Sequence, residues 1–258
     1  MLQQEYINGN DVKSKGFFTK DRILYFLDWP NLLCAAILCI TWVASKYTPL
    51  QKLYVPPEDD LSNYPRAKKD QVNFELMVTI IIIGSFVFYW AIYFISLKAP
   101  KIMRKFNPMT AFYIGLAIFA FNNTTTNLFK SYVGRARPDM YAYCGYNSTT
   151  TCDIDEEFKS FPSGHSSGAM SGLLYPCLFL QKLVKTRYML WTIVCFIFPA
   201  LAIYVGCTRI RDFRHHFDDV LAGLCLGAFC TVIVWWRVRK TIFPKDKGDK
   251  TSQSLLLA

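Results

Sequence analysis

Six apolar blocks, each close to the length of a bilayer-crossing helix, run through this 258-residue chain and leave it few ways to fold. A helix rises about 1.5 Å per residue, so a hydrocarbon layer about 30 Å thick takes roughly 20 residues to cross. Residues 72–97, 109–129 and 188–207 are apolar around most of their circumference, as suits contact with lipid and neighbouring helices. Block 23–47 is interrupted by Asp28 and Pro30, block 165–184 opens with Ser and Gly, and block 217–238 opens with two aspartates. With 52% of residues apolar and 19% charged, the composition is that of a membrane protein. The fold expected is all-α, an integral membrane bundle of six transmembrane helices over residues 21–242, with polar tails at 1–20 and 243–258. A polar stretch precedes the first block and no small-residue cleavage pattern follows it, so the first span is expected to serve as its own targeting signal.

Six spans put both termini on one side. Of the 29 Lys and Arg residues, seventeen lie in the N-terminal segment through Arg22, in the loops that hold Lys98 to Lys105 and Lys182 to Arg187, and in the C-terminal segment from Arg237 onward; twelve lie on the opposite side. Cations mark the cytoplasmic side, so the tails are expected there. Arg66, Lys68 and Lys69 run locally against the rule. Two features of one opposing loop agree with it: Asn147-Ser148-Thr149 is a glycosylation acceptor, and Cys144 and Cys152 suit a loop disulfide in an oxidising compartment. Such triplets also arise by chance, as Asn122-Asn123-Thr124 inside a span illustrates. The other seven cysteines fall in apolar blocks, where the role of a small buried hydrophobe is expected, and no Cys-x-x-Cys pair points to zinc.

Ionisable groups at the ends of such blocks are costly in a membrane and are therefore functional candidates. Three short segments carry them, and all three histidines fall in two of these. The first runs from Lys130 through Gly134 to Arg137-Pro138. A Gly-containing stretch can fold the two outer cations onto one target, Arg offering a planar fork to phosphate oxygens and Lys a point charge; the alternative is a basic flank snorkelling at a membrane edge. The second, Pro162-Ser163-Gly164-His165, has the form of a helix N-terminus, whose free amides favour an anion. Ser163 would cap or donate, Gly164 would let backbone approach a ligand, and His165 would supply a proton. The alternative is an ordinary serine cap with His165 at the interface.

The third segment holds Arg209, His215, His216, Asp218 and Asp219. If a helix starts near His215, Asp219 lies one turn on and can hold the far N–H of that imidazole, fixing its tautomer as in a nucleophile–base pair. Arg209 would then bind phosphate. Two alternatives stand beside this: the aspartates favour the helix N-terminus electrostatically, or His216 is the important imidazole. Metal binding by His215, His216, Asp218 and Asp219 is disfavoured by the spacing and by Arg209, Arg211 and Arg214 nearby.

Taken together, Lys-x6-Arg-Pro, Pro-Ser-Gly-His and Thr-Arg-x5-His-x3-Asp, in this order and in a six-span frame, closely resemble the signature of the type 2 phosphatidic acid phosphatase superfamily, the lipid phosphate phosphatases. Thr208 stands where that signature has Ser, and the hydroxyl survives. The resemblance implies a metal-independent hydrolase without cofactor. In it His215 attacks phosphorus, Asp219 orients His215, and His165 protonates the departing alkoxide. Lys130, Arg137, Ser163, Gly164 and Arg209 would hold the phosphoryl oxygens. The implied partners are a lipid phosphate and the bilayer, with no nucleic acid; phosphatidate, lysophosphatidate and diacylglycerol pyrophosphate are the substrates expected. Polyprenyl pyrophosphates, sphingoid-base phosphates and a non-catalytic lipid-phosphate receptor or transporter are the alternatives. All three segments fall on the non-cytoplasmic side of the expected topology, which is the condition for one site.

Overall fold

The computed structural model describes residues 20–55, 60–65, 67, 69–145, 154–186 and 188–243. Among them the chain is all-helical apart from one antiparallel bridge between Met103 and Val184. Helices α1 (Lys20–Leu27) and α2 (Trp29–Ser45) meet at Asp28; α3 is Phe74–Lys98, α4 Pro108–Val133, α5 Met140–Cys144 and α6 Gly164–Leu183. Helices α7 (Met189–Cys195) and α8 (Ile197–Arg211) meet at Phe196, and α9 is Phe217–Ile242. Both interruptions have local causes. Asp28 takes a left-handed conformation (φ 41°) and Pro30 follows at the start of α2. Pro199 has no N–H to donate to the carbonyl of Cys195, the residue at which α7 ends.

Among the described residues four stretches are long and apolar enough to cross a membrane: Ile23–Ser45, Phe74–Lys98, Met189–Arg211 and Phe217–Ile242. The other two expected spans, 109–129 and 165–184, also form long helices, α4 and α6. Their polar content sets them apart. Asn122, Asn123 and Thr126 on α4, and Ser166, Ser167 and Ser171 on α6, are all buried inside the bundle. Position explains composition, because α3 has three buried residues and α6 has twelve. Peripheral helices turn Ile80, Ile83, Val87, Phe229 and Trp236 outward, a surface that suits lipid rather than water. These four helices and this surface make the chain a multi-pass membrane protein.

Helix α9 lies against α6 at the smallest spacing that side chains allow. A Cβ on Gly223 would stand 2.5 Å from the Ser163 carbonyl oxygen, and one on Gly227 would stand 2.4 Å from that of Ser167. Two glycines four residues apart thus let the backbones meet, the small-residue mode of packing available where lipid supplies no hydrophobic drive. At one end of the bundle Tyr89, Phe106, Tyr175, Phe179 and Phe243 form an aromatic core. The opposite end gathers the ends of α2, α4 and α8 and the starts of α3, α6 and α9 around a polar cleft.

Candidate active site

Each of the three segments is shaped by its own local structure. Helix α4 ends at Gly134 in the left-handed region (φ 58°), where a Cβ would overlap the Gln51 carbonyl oxygen at 1.5 Å. The chain then doubles back so that Arg137 faces the cleft beside Lys130. Arg137 donates from Nε to the Glu156 carbonyl (2.7 Å) and from Nη1 to the Arg214 carbonyl (3.2 Å), and Lys130 Nζ donates to the Lys159 carbonyl. Helix α6 begins where the spacing predicts. Ser163 is its N-cap and accepts from the Ser166 amide (3.4 Å) and hydroxyl (2.9 Å). Its own N–H donates to the Asp219 carbonyl (2.9 Å), so Ser163 is buried as a cap and joint. The next two amides, of Gly164 and His165, meet no acceptor among the described residues, as is usual for the first turn of a helix.

The cleft encloses about 550 Å³. Five of the eight residues expected in a site line it: Lys130, Arg137, Gly164, His165 and His215. Asp70, Glu156 and Lys159 lie on its wall. The other three expected residues, Ser163, Arg209 and Asp219, are fully buried behind that wall. Two of them meet partners that the sequence did not indicate.

Asp219 does not hold His215 directly, since the closest approach, Nδ1 to Oδ2, is 3.9 Å. The reason is helix register. Helix α9 starts at Phe217 with His216 as N-cap, so His215 lies outside it and the one-turn relation fails. Asp219 faces His216 instead, accepting from its backbone N–H (2.9 Å) and lying 3.1 Å from its Nδ1. His215 is oriented by a residue that no motif flagged: Nδ1 donates to the Ser160 carbonyl at 2.8 Å. The Ser160 hydroxyl in turn donates to Asp219 Oδ2 at 2.6 Å. A carbonyl only accepts, so the Nδ1 proton is fixed and Nε2 keeps its lone pair. Burial first, then the charges of Arg137 and Lys130, hold the pKa of the His215 imidazole well below its ordinary 6.5, so the ring is neutral. His165 donates from Nε2 to the Val72 carbonyl (3.1 Å) and packs edge-on to Phe74.

Arg209 faces two acids rather than the open cleft. Nη2 donates to Asp212 at 2.6 Å, and Nη1 lies 3.5 Å from Asp70. Arg214 pairs with Asp139 (2.7 Å) and Glu157 (3.4 Å), both buried. Burial works against its charge, but these carboxylates more than offset that and raise its pKa. Their role is to fix the segment that carries His215. His216, Asp218 and Asp219 lie within 4.8 Å of one another, a spacing that suits a cation, but Arg135 already bridges the two carboxylates. Cys144 is disulfide-bonded; its expected partner Cys152 and the acceptor Asn147 lie outside the described residues.

Two imidazoles, one of them held neutral, with four cations (Lys46, Lys130, Arg137 and Lys159) outnumbering three carboxylates and two helix amides beside them, suit a tetrahedral anion. The comparisons point the same way. The family model for the PAP2 superfamily matches residues 110–243, which contain all eight expected site residues. Phospholipid phosphatase 1 of Mus musculus is 30% identical over 247 residues, covering 84% of this chain and 85% of its own. Phospholipid phosphatase 2 of Rattus norvegicus is 32% identical over 196 residues, 66% of this chain and 70% of its own. No solved structure matches. With the three segments meeting at one cleft and the match extending over most of two homologous chains, this protein belongs to the PAP2 superfamily.

Proposed function

We propose that this protein is a membrane-embedded, metal-independent phosphatase that removes phosphate from lipid phosphates, phosphatidate, lysophosphatidate and diacylglycerol pyrophosphate among them. The observation that carries the reading is the convergence of Lys130, Arg137, Gly164, His165 and His215 on one cleft at one end of the bundle. In this reading α4 and α6 also cross the bilayer, giving six spans, and the cleft opens on the non-cytoplasmic face. The lipid's phosphate enters the cleft while its chains stay among the helices or in the bilayer.

The geometry supports a two-step displacement. His215 Nε2 attacks phosphorus, forming an N–P bond as the bond to the ester oxygen breaks, and His165, held as imidazolium by the bound phosphate's negative charge with its Nε2–H kept on the Val72 carbonyl, delivers its Nδ1 proton to the departing alkoxide. Water then attacks the phosphohistidine, its proton returning through His165, and releases inorganic phosphate. The Ser160 carbonyl and, behind it, Asp219 steady the charge on His215 as the intermediate forms. Lys130, Arg137 and the amides of Gly164 and His165 take up the charge spreading over the phosphoryl oxygens, a task that is mainly electrostatic.

The test is phosphate release by purified protein in detergent, with EDTA present, from a panel of the named lipids, polyprenyl pyrophosphates and sphingoid-base phosphates. Turnover of one or more diacyl or monoacyl glycerol phosphates is expected. Binding of these lipids without release of phosphate would instead identify a receptor or transporter.

A further inference from the structure

Three consecutive residues, Asp70, Gln71 and Val72, meet three separate parts of the site. The Val72 carbonyl accepts from His165 (3.1 Å). Gln71 donates twice to Asp212, from its backbone (2.9 Å) and from its side chain (2.6 Å). Asp70 faces Arg209. Arg209 is thereby shared by two carboxylates of opposite character. Asp212 is 3% exposed and lies 2.6 Å from Nη2, whereas the Asp70 side chain is 42% exposed, lines the cleft and lies 3.5 Å from Nη1. Arg209 itself is fully buried and forms no part of the cleft wall.

Resting on the phosphatase reading above, we propose that Asp70 is a placeholder anion: it occupies the cleft-side nitrogen of Arg209 in the empty enzyme and is displaced by the phosphate of the substrate. Asp212 is the permanent partner and keeps Nη2. A long, partly solvated ion pair is weak and screened. A phosphate brings more charge and several oxygens that match the guanidinium fork, so the exchange runs toward the ligand. The clamp from Gln71 to Asp212 holds the backbone on either side of the event. Asp70 therefore leaves by side-chain rotation, and the Val72 carbonyl stays on His165. A lipid lacking a phosphate has nothing to offer Arg209 in exchange, which makes Asp70 a specificity-determining residue for phosphorylated lipids.

The proposal predicts a sign. Removing the charge at residue 70 takes away a competitor and a repulsive group at once, so Asp70→Asn tightens competitive inhibition by inorganic phosphate about fivefold, with KM moving in the same direction. Asp70→Ser does the same, whereas Asp70→Glu, which keeps the charge, stays near wild type, and Asp212→Asn does not tighten. The measurement is the Ki for inorganic phosphate against phosphatidate hydrolysis in detergent with EDTA. Equilibrium binding of inorganic phosphate to the same proteins by calorimetry accompanies it, with unfolding midpoints to establish that each variant is folded. Unchanged or weaker phosphate binding in Asp70→Asn and Asp70→Ser overturns the proposal, as does equal tightening in Asp212→Asn. If the wild type binds phosphate but hydrolyses no lipid, the phosphatase reading falls, and the calorimetric comparison still decides the role of Asp70.

Discussion

Adding one methyl group where α9 meets α6 should cost more in rate than in stability. In Gly223→Ala the new Cβ would lie 2.5 Å from the Ser163 carbonyl oxygen, 3.1 Å from Ser166 Cβ and 3.3 Å from the Ser167 amide nitrogen. Ordinary contact begins at 3.4 Å, so the helices must part by about 0.9 Å. Nothing nearby yields easily. The Ser163 carbonyl is held by the Ser167 amide (3.0 Å), and the Ser163 amide is bonded to the carbonyl of Asp219, one turn before Gly223. Overpacking of this kind costs about 1–3 kcal/mol, and replacing glycine by alanine in a helix returns about 1 kcal/mol. The net loss of stability is therefore small. The same displacement separates α6, which carries Gly164 and His165, from α9, which carries Asp219. A shift of about 1 Å between catalytic groups costs up to roughly 100-fold in rate. The assay pairs kcat on phosphatidate with the thermal midpoint in detergent and uses Gly84→Ala as control, where nothing lies within 4 Å of the new Cβ. Wild-type kcat in a folded Gly223→Ala would refute the claim that this helix contact sets the geometry of the site.

Ser160→Ala removes the 2.6 Å hydrogen bond to Asp219 but leaves the carbonyl that orients His215; bonds to charged groups of this kind predict a fall in kcat of roughly 10-fold or more, measured under saturating lipid. Arg214→Ala leaves Asp139 and Glu157, 0% and 2% exposed, without their partner and should cost about 3–5 kcal/mol, read as a lowered thermal midpoint and poor recovery from the membrane. The pH dependence of stability carries the signature of His215. Its folded pKa is depressed, so its contribution is fully present above the ordinary imidazole value of 6.5 and is lost as pH falls from there toward the depressed folded value. The acid-induced drop in thermal midpoint across that window should be smaller in His215→Gln than in wild type.

Much of this was legible in the sequence, because the decisive signals were local. The break at Asp28, the start of α6 after Ser163 and the turn at Gly134 all rest on residues whose backbone preferences are strong and short-ranged. What was hidden depends on register and on distant partners. A helix beginning at Phe217 rather than near His215 hands Asp219 to His216, and a shift this small lies inside the ordinary uncertainty of helix ends. Ser160 orients His215 through its backbone carbonyl, a group every residue carries, so its identity left no mark. The pairing of Arg209 with Asp70 joins residues more than a hundred positions apart, and Asp70 itself sits in a loop that carries no motif. The polar faces of α4 and α6 were visible as Asn122-Asn123-Thr124 and as a run of serines. That they mark the two innermost helices emerged only from the packing.

In the proposed mechanism, phosphate passes through a covalent bond to His215. Brief exposure of the purified protein to labelled phosphatidate, followed by alkaline quench and mass analysis of its peptides, tests this directly. One acid-labile phosphoryl group is expected on the peptide that carries His215, absent from His215→Ala together with turnover. Full turnover by His215→Ala, or a phosphoryl group on any other residue, would contradict it.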